Sequence, residues 1–400
     1  MSQTLPSLNG IDLKGKKVLL RVDLNVPAEN GEVRDATRLA RIAPTLRFLA
    51  QSGAKTILLS HFGRPDGQPN PVYSLDFLQK PLANLAGTSI TFVADLLGPL
   101  ARGAVSCMQD GEIILLENLR FHPGEESNDL SFARALAEMG DIYVNDAFSV
   151  SHRAHASVEA LAHLLPCYAG FALEAEINAL NSALSTPTRP VLAVVGGSKI
   201  STKLAVLNHL VAKVDMLAIG GAMAHTFLLA GGYSVGKSLR EADLVETAKQ
   251  VLASAKEHGC RVILPVDVVT AHELAANVDS RICDIAAIGA DDMALDIGPK
   301  TLDHLFSAVH EARTLLWNGP LGAFEVAPFD KATMAFAHKV ADLTKAGQLI
   351  SIAGGGDTVA ALEAAQATDQ LTYVSTAGGA FLEWLEGKSL PGIKALLGQD

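Results

Sequence analysis

The chain has 400 residues, 49% of them hydrophobic and 19% charged. That balance excludes a disordered protein, and the length predicts two domains rather than one core. The formal net charge of −11 argues against a nucleic-acid partner, so anionic ligands must be held by local clusters of Arg and Lys.

The N-terminal segment MSQTLPSLNGIDLKGKK has no apolar core, and no secretory signal is expected. Beyond it, apolar runs of strand length alternate with helical periodicity. The runs are Val18–Val22, Thr56–Ser60, Ile113–Glu117 and Ile142–Asn145, then Val191–Val195, Met216–Ile219, Val262–Val266, Leu315–Trp317, Leu349–Ala353 and Tyr373–Ser375. Helical spacing is seen at Arg38–Gln51, Leu130–Met139, Leu173–Leu184 and Leu244–His258. This alternation predicts an α/β fold of doubly wound parallel sheets with helices on both faces. Ligands of such sheets sit beyond the carboxyl ends of the strands. The stretch Met216–Gly236 carries no charge and is about as long as a membrane span. Its five glycines with His225 and Thr226 fit strand, turn and helix better, so no membrane is expected. The segment Ser185–Pro190 (STPTRP) reads as a domain boundary. The cysteines, Cys107, Cys167, Cys260 and Cys283, form no CxxC and have no His at metal-ligand spacing. Reduced structural thiols in a cytoplasmic protein are the expectation.

Each strand of the first half runs into polar residues. RVDLNVP places Asp23 and Asn25 at the first exit, and Arg38 opens the following helix. SHFGRP places His61 and Arg64 on a turn, ENLRF exposes Arg120, and NDAFSVSHRAHAS carries His152, Arg153 and His155. One such Arg is an ordinary surface charge. Together they form a basic cup for a small anion, because guanidinium matches carboxylate and phosphate with paired hydrogen bonds. A metal site at His61, His152 and His155 is the alternative, opposed by the arginines around it.

The strands of the second half run into glycines: LAVVGGSKIST, MLAIGGAMAHTF, LISIAGGGDTVAAL and TYVSTAGGAFLEWL. Glycine turns before helix starts suit phosphate, which the free N–H groups and the dipole attract. Tight helix–sheet packing explains one or two of them equally well. In GGGDTVA, Asp357 suits Mg²⁺ and Thr358 suits a helix cap. Lys199 and Lys203, four apart and so on one helical face, suit phosphate charge. Glu325 in WNGPLGAFE suits ribose hydroxyls. Gly231, Gly236, Lys237 and Ser238 also match a P-loop, with VILPVD ending at Asp267 as its second strand. The residues before Gly231, however, read as a helix ending on a glycine cap.

In order, RVDLNVP, SHFGRP, ENLRF, SHRAHAS, GGSKISTK, WNGPLGAFE and AGGGDT make nearly the whole chain resemble the phosphoglycerate kinase family. The resemblance implies two doubly wound domains facing each other across a cleft, with hinge-bending closure that keeps water from an acyl phosphate. It implies reversible phosphoryl transfer from 1,3-bisphosphoglycerate to Mg·ADP, giving 3-phosphoglycerate and ATP, in a cytoplasmic monomer. Residues 1–172 would bind 3-phosphoglycerate, 173–187 would be an interdomain helix and linker, and 188–389 would bind nucleotide. The tail from about 390 to 400 would fold back on the first domain. Asp23, Asn25, Arg38, His61, Arg64, Arg120 and Arg153 would hold the glycerate. Lys203, Asn318, Glu325, Gly355, Gly356, Asp357 and Thr358 would hold the nucleotide, with Asp357 on the metal. Arg38, Lys203 and Lys199 would counter charge during transfer. The chain departs from the family wording at Ser149, Val150, Ser151 and Ala377, near the expected hinge and cleft.

Overall fold

The structure, a computed structural model, describes residues 5–29 and 31–399. It divides into two compact units. One holds the described residues up to Asn178 and those from Ser389 onward; the other is Ala179–Lys388. The division falls inside the helix Phe171–Leu184.

In the first unit β1 (Lys17–Arg21), β2 (Lys55–Leu59), β3 (Ile90–Val93), β4 (Ile113–Leu116), β5 (Ile142–Asn145) and β6 (Cys167–Ala169) form one sheet. Its order is β3-β4-β2-β1-β5-β6, with every neighbouring pair parallel. Successive residues feed two different cores. Val18, Leu20, Ile113, Leu115 and Val144 enter one; Leu19, Ile57, Leu59, Ile114 and Tyr143 enter the other. Burial on both faces is why these strands read as unbroken apolar runs rather than alternating ones. The chain reverses its direction of winding beside β1, and ligand crevices form at such switch points.

The second unit repeats the plan. β7 (Val191–Val195), β8 (Met216–Ile219), β9 (Arg261–Ile263), β13 (Thr314–Asn318), β14 (Ile350–Gly354) and β15 (Tyr373–Ser375) form a parallel sheet of order β9-β8-β7-β13-β14-β15. Its switch lies between β7 and β13. A small antiparallel sheet of order β11-β10-β12 joins it, built from β10 (Asp267–Ala271), β11 (Arg281–Asp284) and β12 (Met293–Ile297). The stretch Met216–Gly236 resolves into β8, a glycine turn, the helix Met223–Ala230 and the loop after it. No described helix is long and apolar enough to cross a membrane.

The α/β class and parallel sheets agree with the sequence reading. The expected strand Val262–Val266 does not. Pairing stops at Ile263, just before Leu264 and Pro265, and Asp267 opens a strand of the other sheet. Proline has no N–H for a ladder. The edge strands β3 and β6 and the antiparallel sheet lay outside the sequence expectation. Four- and three-residue edges carry too little periodicity to register.

Candidate active site

In the first unit the site begins at the exits of β1 and β2. The Ser60 hydroxyl donates to the Val22 carbonyl (2.8 Å) and accepts from the Leu24 N–H (3.0 Å), tying the two exits together. Asp23 accepts from Arg38 at 3.1 Å and from the Ser149 hydroxyl at 2.5 Å. Arg38, in the first turn of the helix Thr37–Gln51, also donates to the Asn25 carbonyl at 2.8 Å. The Asn25 side-chain oxygen accepts the Gly63 N–H at 3.0 Å. Asp23, Asn25 and Arg38 therefore form one braced group.

Arg120, expected to be exposed, is only 5% exposed. Asn118 accepts the Arg120 N–H (3.0 Å) and donates to the Phe62 and Tyr73 carbonyls (2.7 and 2.9 Å), which folds the turn inward. The guanidinium then donates to the Gly63 carbonyl at 2.7 Å, and its Nε lies 2.9 Å from the Glu126 carboxylate. Burial lowers its pKa; Glu126 opposes that and Arg153 adds to it. Arg64 is exposed and Arg153 half-buried, and neither has a carboxylate partner among the described residues. His61 and His155 are buried. Burial, then Arg21 and Arg120, hold the His61 pKa well below its usual value. Burial, then Arg120, Arg21 and Arg153, lower that of His155 to about 3. Both rings are neutral at pH 7, so the positive field comes from guanidinium, and that field opposes a cation at the histidines.

Sequence reading missed Arg21 and Glu125, and named Ser149 only as a departure near the cleft. The signal for Arg21 was present: a charge inside the apolar run VLLRV must find partners, because burying it alone is costly. The departures from the family wording also have local explanations. Ser149 holds Asp23, Val150 packs with Ala147 and Val158, and the Ser151 hydroxyl donates to the Ala147 carbonyl at 3.1 Å. Ala377 sits at φ −97°, where no glycine is required.

In the second unit Lys203 and Lys199 do not share a helical face. The helix starts at Leu204; Lys203 is its N-cap and Lys199 lies exposed in the loop before it. Lys203 Nζ is bonded to the Asn318 side-chain oxygen, and Asn318 donates to the Gly354 carbonyl at 2.7 Å. Asn318 is thus spent on aiming Lys203. Burial lowers the Lys203 pKa to about 8, and Asp357 opposes that fall. Thr358 does not cap its helix. Its hydroxyl accepts the Gly319 N–H at 2.6 Å, and the N-cap is Gly355, at φ +98° with no side-chain bond. Asp357 and Gly356 are exposed in the first turn of Gly356–Ala364.

The glycine turns divide in two. A Cβ on Gly196 would strike the Pro320 carbonyl, and one on Gly319, at φ +112°, would strike Gly196. These two turns touch backbone to backbone. A Cβ on Gly356 or Gly378 would meet nothing within 4 Å.

Beside the first pair of turns lies a pocket of about 540 Å³. Leu239, Pro265, Leu274, Met293, Leu295 and Leu321 make its apolar wall; Gly197 and Gly221 line it, and Glu325 and Asp357 stand at it. Leu239 and Leu274 are 53% and 49% exposed and face this pocket. Apart from Leu321 in WNGPLGAFE and Pro265 in VILPVD, no motif announced these wall residues, which come from loops and from the antiparallel sheet. Lys237 also lines the pocket and is ion-paired with Asp291 at 2.7 Å. The P-loop context is absent. Gly231 follows a helix rather than a strand, and Asp267 accepts the Lys300 and Thr301 N–H groups (3.0 and 2.8 Å) at the start of Pro299–Glu311.

The family model described as phosphoglycerate kinase matches residues 8–388. The chain is 57% identical over 387 residues to a phosphoglycerate kinase of Methylorubrum extorquens, covering 97% of each chain. It is 57% identical over 385 residues to that of Rhizobium meliloti (strain 1021), covering 96% of each. The structure of phosphoglycerate kinase from Coxiella burnetii superposes with a TM-score of 0.92 at 41% identity, over 98% of this chain and 99% of that one. That from Pyrococcus horikoshii does so at 0.81 and 29% identity, over 98% of each. With this match along almost its full length, the chain belongs to the phosphoglycerate kinase family.

Proposed function

We propose that the chain moves a phosphoryl group reversibly from 1,3-bisphosphoglycerate to Mg·ADP, giving 3-phosphoglycerate and ATP, by direct in-line transfer without a phosphoenzyme. The observation that carries this reading is a pair of unlike sites on two similar units. One is a cluster of guanidinium groups beyond the strand exits of the first sheet. The other is an apolar pocket beside glycine turns, with Glu325 and Asp357 at it and the half-buried Lys203 bearing on Asp357.

Residues 1–172 with the tail from about 390 hold the glycerate, residues 188–389 hold the nucleotide, and 173–187 join them. Arg64, Arg120 and Arg153 grip the distal phosphate, with His61 as a neutral donor. The pocket wall takes the base, and Glu325 accepts from ribose hydroxyls. The room at Gly356 and Gly378 lets phosphate approach N–H groups at two helix starts. The exposed carboxylate of Asp357 fits Mg²⁺, which keeps most of its other ligands from water and phosphate oxygens. Bound there with the nucleotide, Mg²⁺ supplies charge neutralisation.

Toward ATP the attacking group is a carboxylate, already ionised at pH 7, so no general base is needed. With the His155 pKa lowered to about 3 and that of His61 well below its usual value, both rings are poor bases, which agrees with that. What remains is alignment and the countering of charge, which Arg38, Lys203 and Lys199 provide. A cytoplasmic monomer is the expected form. The test is an assay of ADP formation from ATP and Mg²⁺. It should depend on added 3-phosphoglycerate, and ADP release that ignores 3-phosphoglycerate would overturn the assignment.

A further inference from the structure

Arg21 ends β1 and is 1% exposed, the one charged residue among the largest fully buried side chains of the described residues. Its contacts run in one direction. Nε donates to the Ser157 hydroxyl at 2.9 Å, and that hydroxyl donates to Glu125 at 2.7 Å. The Ser157 N–H donates to the other Glu125 oxygen at 3.0 Å, and the Tyr143 hydroxyl holds the Ser157 carbonyl at 2.7 Å. A second guanidinium nitrogen bonds the Val22 carbonyl. The third lies 3.1 Å from Nδ1 of His61.

This last contact has one chemical solution. Guanidinium carries only donors, so Nδ1 of His61 is the acceptor and bears no proton. A neutral imidazole has one proton, which must then be on Nε2. Protonating Nδ1 would set N–H against N–H in a site closed to water.

We propose that Arg21, braced through Ser157 on Glu125, is a positioning residue that locks His61 as the Nε2–H tautomer, so that the ring donates to the anionic substrate instead of presenting a lone pair. The substrate in this statement rests on the function proposed above. The charged and titratable groups facing His61 are Arg21, Arg120, His155 and Arg153, and all disfavour a second ring proton. The ring is thus kept from the imidazolium by its surroundings and from the other tautomer by Arg21. The donor it offers is the group an anionic oxygen needs.

The test is nitrogen-15 NMR of the full chain labelled at histidine, with His61 assigned by its loss in His61→Gln. A ring with a bare Nδ1 and a protonated Nε2 from pH 6 to 8 is expected. A protonated Nδ1, or averaging between tautomers, would overturn the lock. In Arg21→Met the ring should average, and KM for 3-phosphoglycerate should rise about 10- to 100-fold, the worth of one hydrogen bond to a charged group. Its kcat should move far less. Arg21→Lys keeps a charge and a donor; it should keep the tautomer and recover part of the KM. Arg21→Met alone leaves Glu125 buried without its cation, so Arg21→Met with Glu125→Gln serves as the neutral pair if the single variant does not fold. A wild-type tautomer in either Met variant would overturn the role of Arg21. A locked ring in a chain that turns over no 3-phosphoglycerate would overturn the functional reading and leave the lock standing.

Discussion

Arg38 and Arg153 differ in what already holds them. Arg38 is aimed by Asp23 and the Asn25 carbonyl, and rigid donors of this kind act best on charge that develops in a transition state. Arg153 has no carboxylate partner among the described residues and suits a charge present throughout the reaction. Arg38→Ala should therefore lower turnover by about 10²–10³-fold with a smaller change in 3-phosphoglycerate binding. Arg153→Ala should mainly raise KM. Steady-state kinetics separate the two, and near-normal saturating turnover in Arg38→Ala would reduce Arg38 to a binding residue. Lys203 adds a pH dependence. Its pKa of about 8 means that it is charged below pH 8 and loses the proton above it. The kcat/KM for ADP, which reports the free enzyme, should fall as pH rises through 8. In Lys203→Arg that descending limb should move beyond the measurable range, because guanidinium keeps its proton. Lys237→Ala should leave ATP affinity within a few-fold of wild type, since Lys237 is an exposed partner of Asp291. A collapse of nucleotide binding there would revive the P-loop reading.

At the scale of elements, the glycine turns that look alike in sequence do different work. Gly319 lies at φ +112° against the backbone of Gly196, so Gly319→Ala should cost about 1–3 kcal/mol of stability. Gly356 opens a helix with open space around it, so Gly356→Ala should stabilise the fold by about 0.4–1 kcal/mol. If phosphate approaches that turn, the same substitution should weaken ADP binding. Urea unfolding and calorimetry on both variants test the division. A Gly356→Ala chain that binds ADP as tightly as wild type would remove this turn from the phosphate site.

Across the whole molecule, the last residues belong to the first unit although they follow the second in sequence. The helix Pro391–Leu396 packs on Ala160–His163 and β6. Gly392 donates to the Ser151 carbonyl at 2.9 Å, and its α-carbon fits against Val158 and Ser151, where a Cβ has no room. Leu390, Ile393 and Leu396 are buried. Leu396→Ala should cost about 2–5 kcal/mol, as removal of a buried leucine does. Hydrogen exchange should place that loss in β5 and β6 rather than in β7 or β13. Faster exchange confined to the second unit would contradict the tail's assignment.

The sequence by itself determined the α/β class, the two parallel sheets and the strand exits that carry Asp23, His61, Lys203 and Asp357. Parallel strands buried on both faces must be apolar along their whole length, and polar or glycine residues must then follow where the strands end. Both are local signals. It did not determine the inward turn of Arg120, the state of His61, the bond between Lys203 and Asn318, or the apolar pocket. Lys203 and Asn318 are 115 residues apart in sequence, and Arg21 and Ser157 are 136. No periodicity spans such distances. Only the folded packing, which decides which buried donor faces which acceptor, brings these groups together.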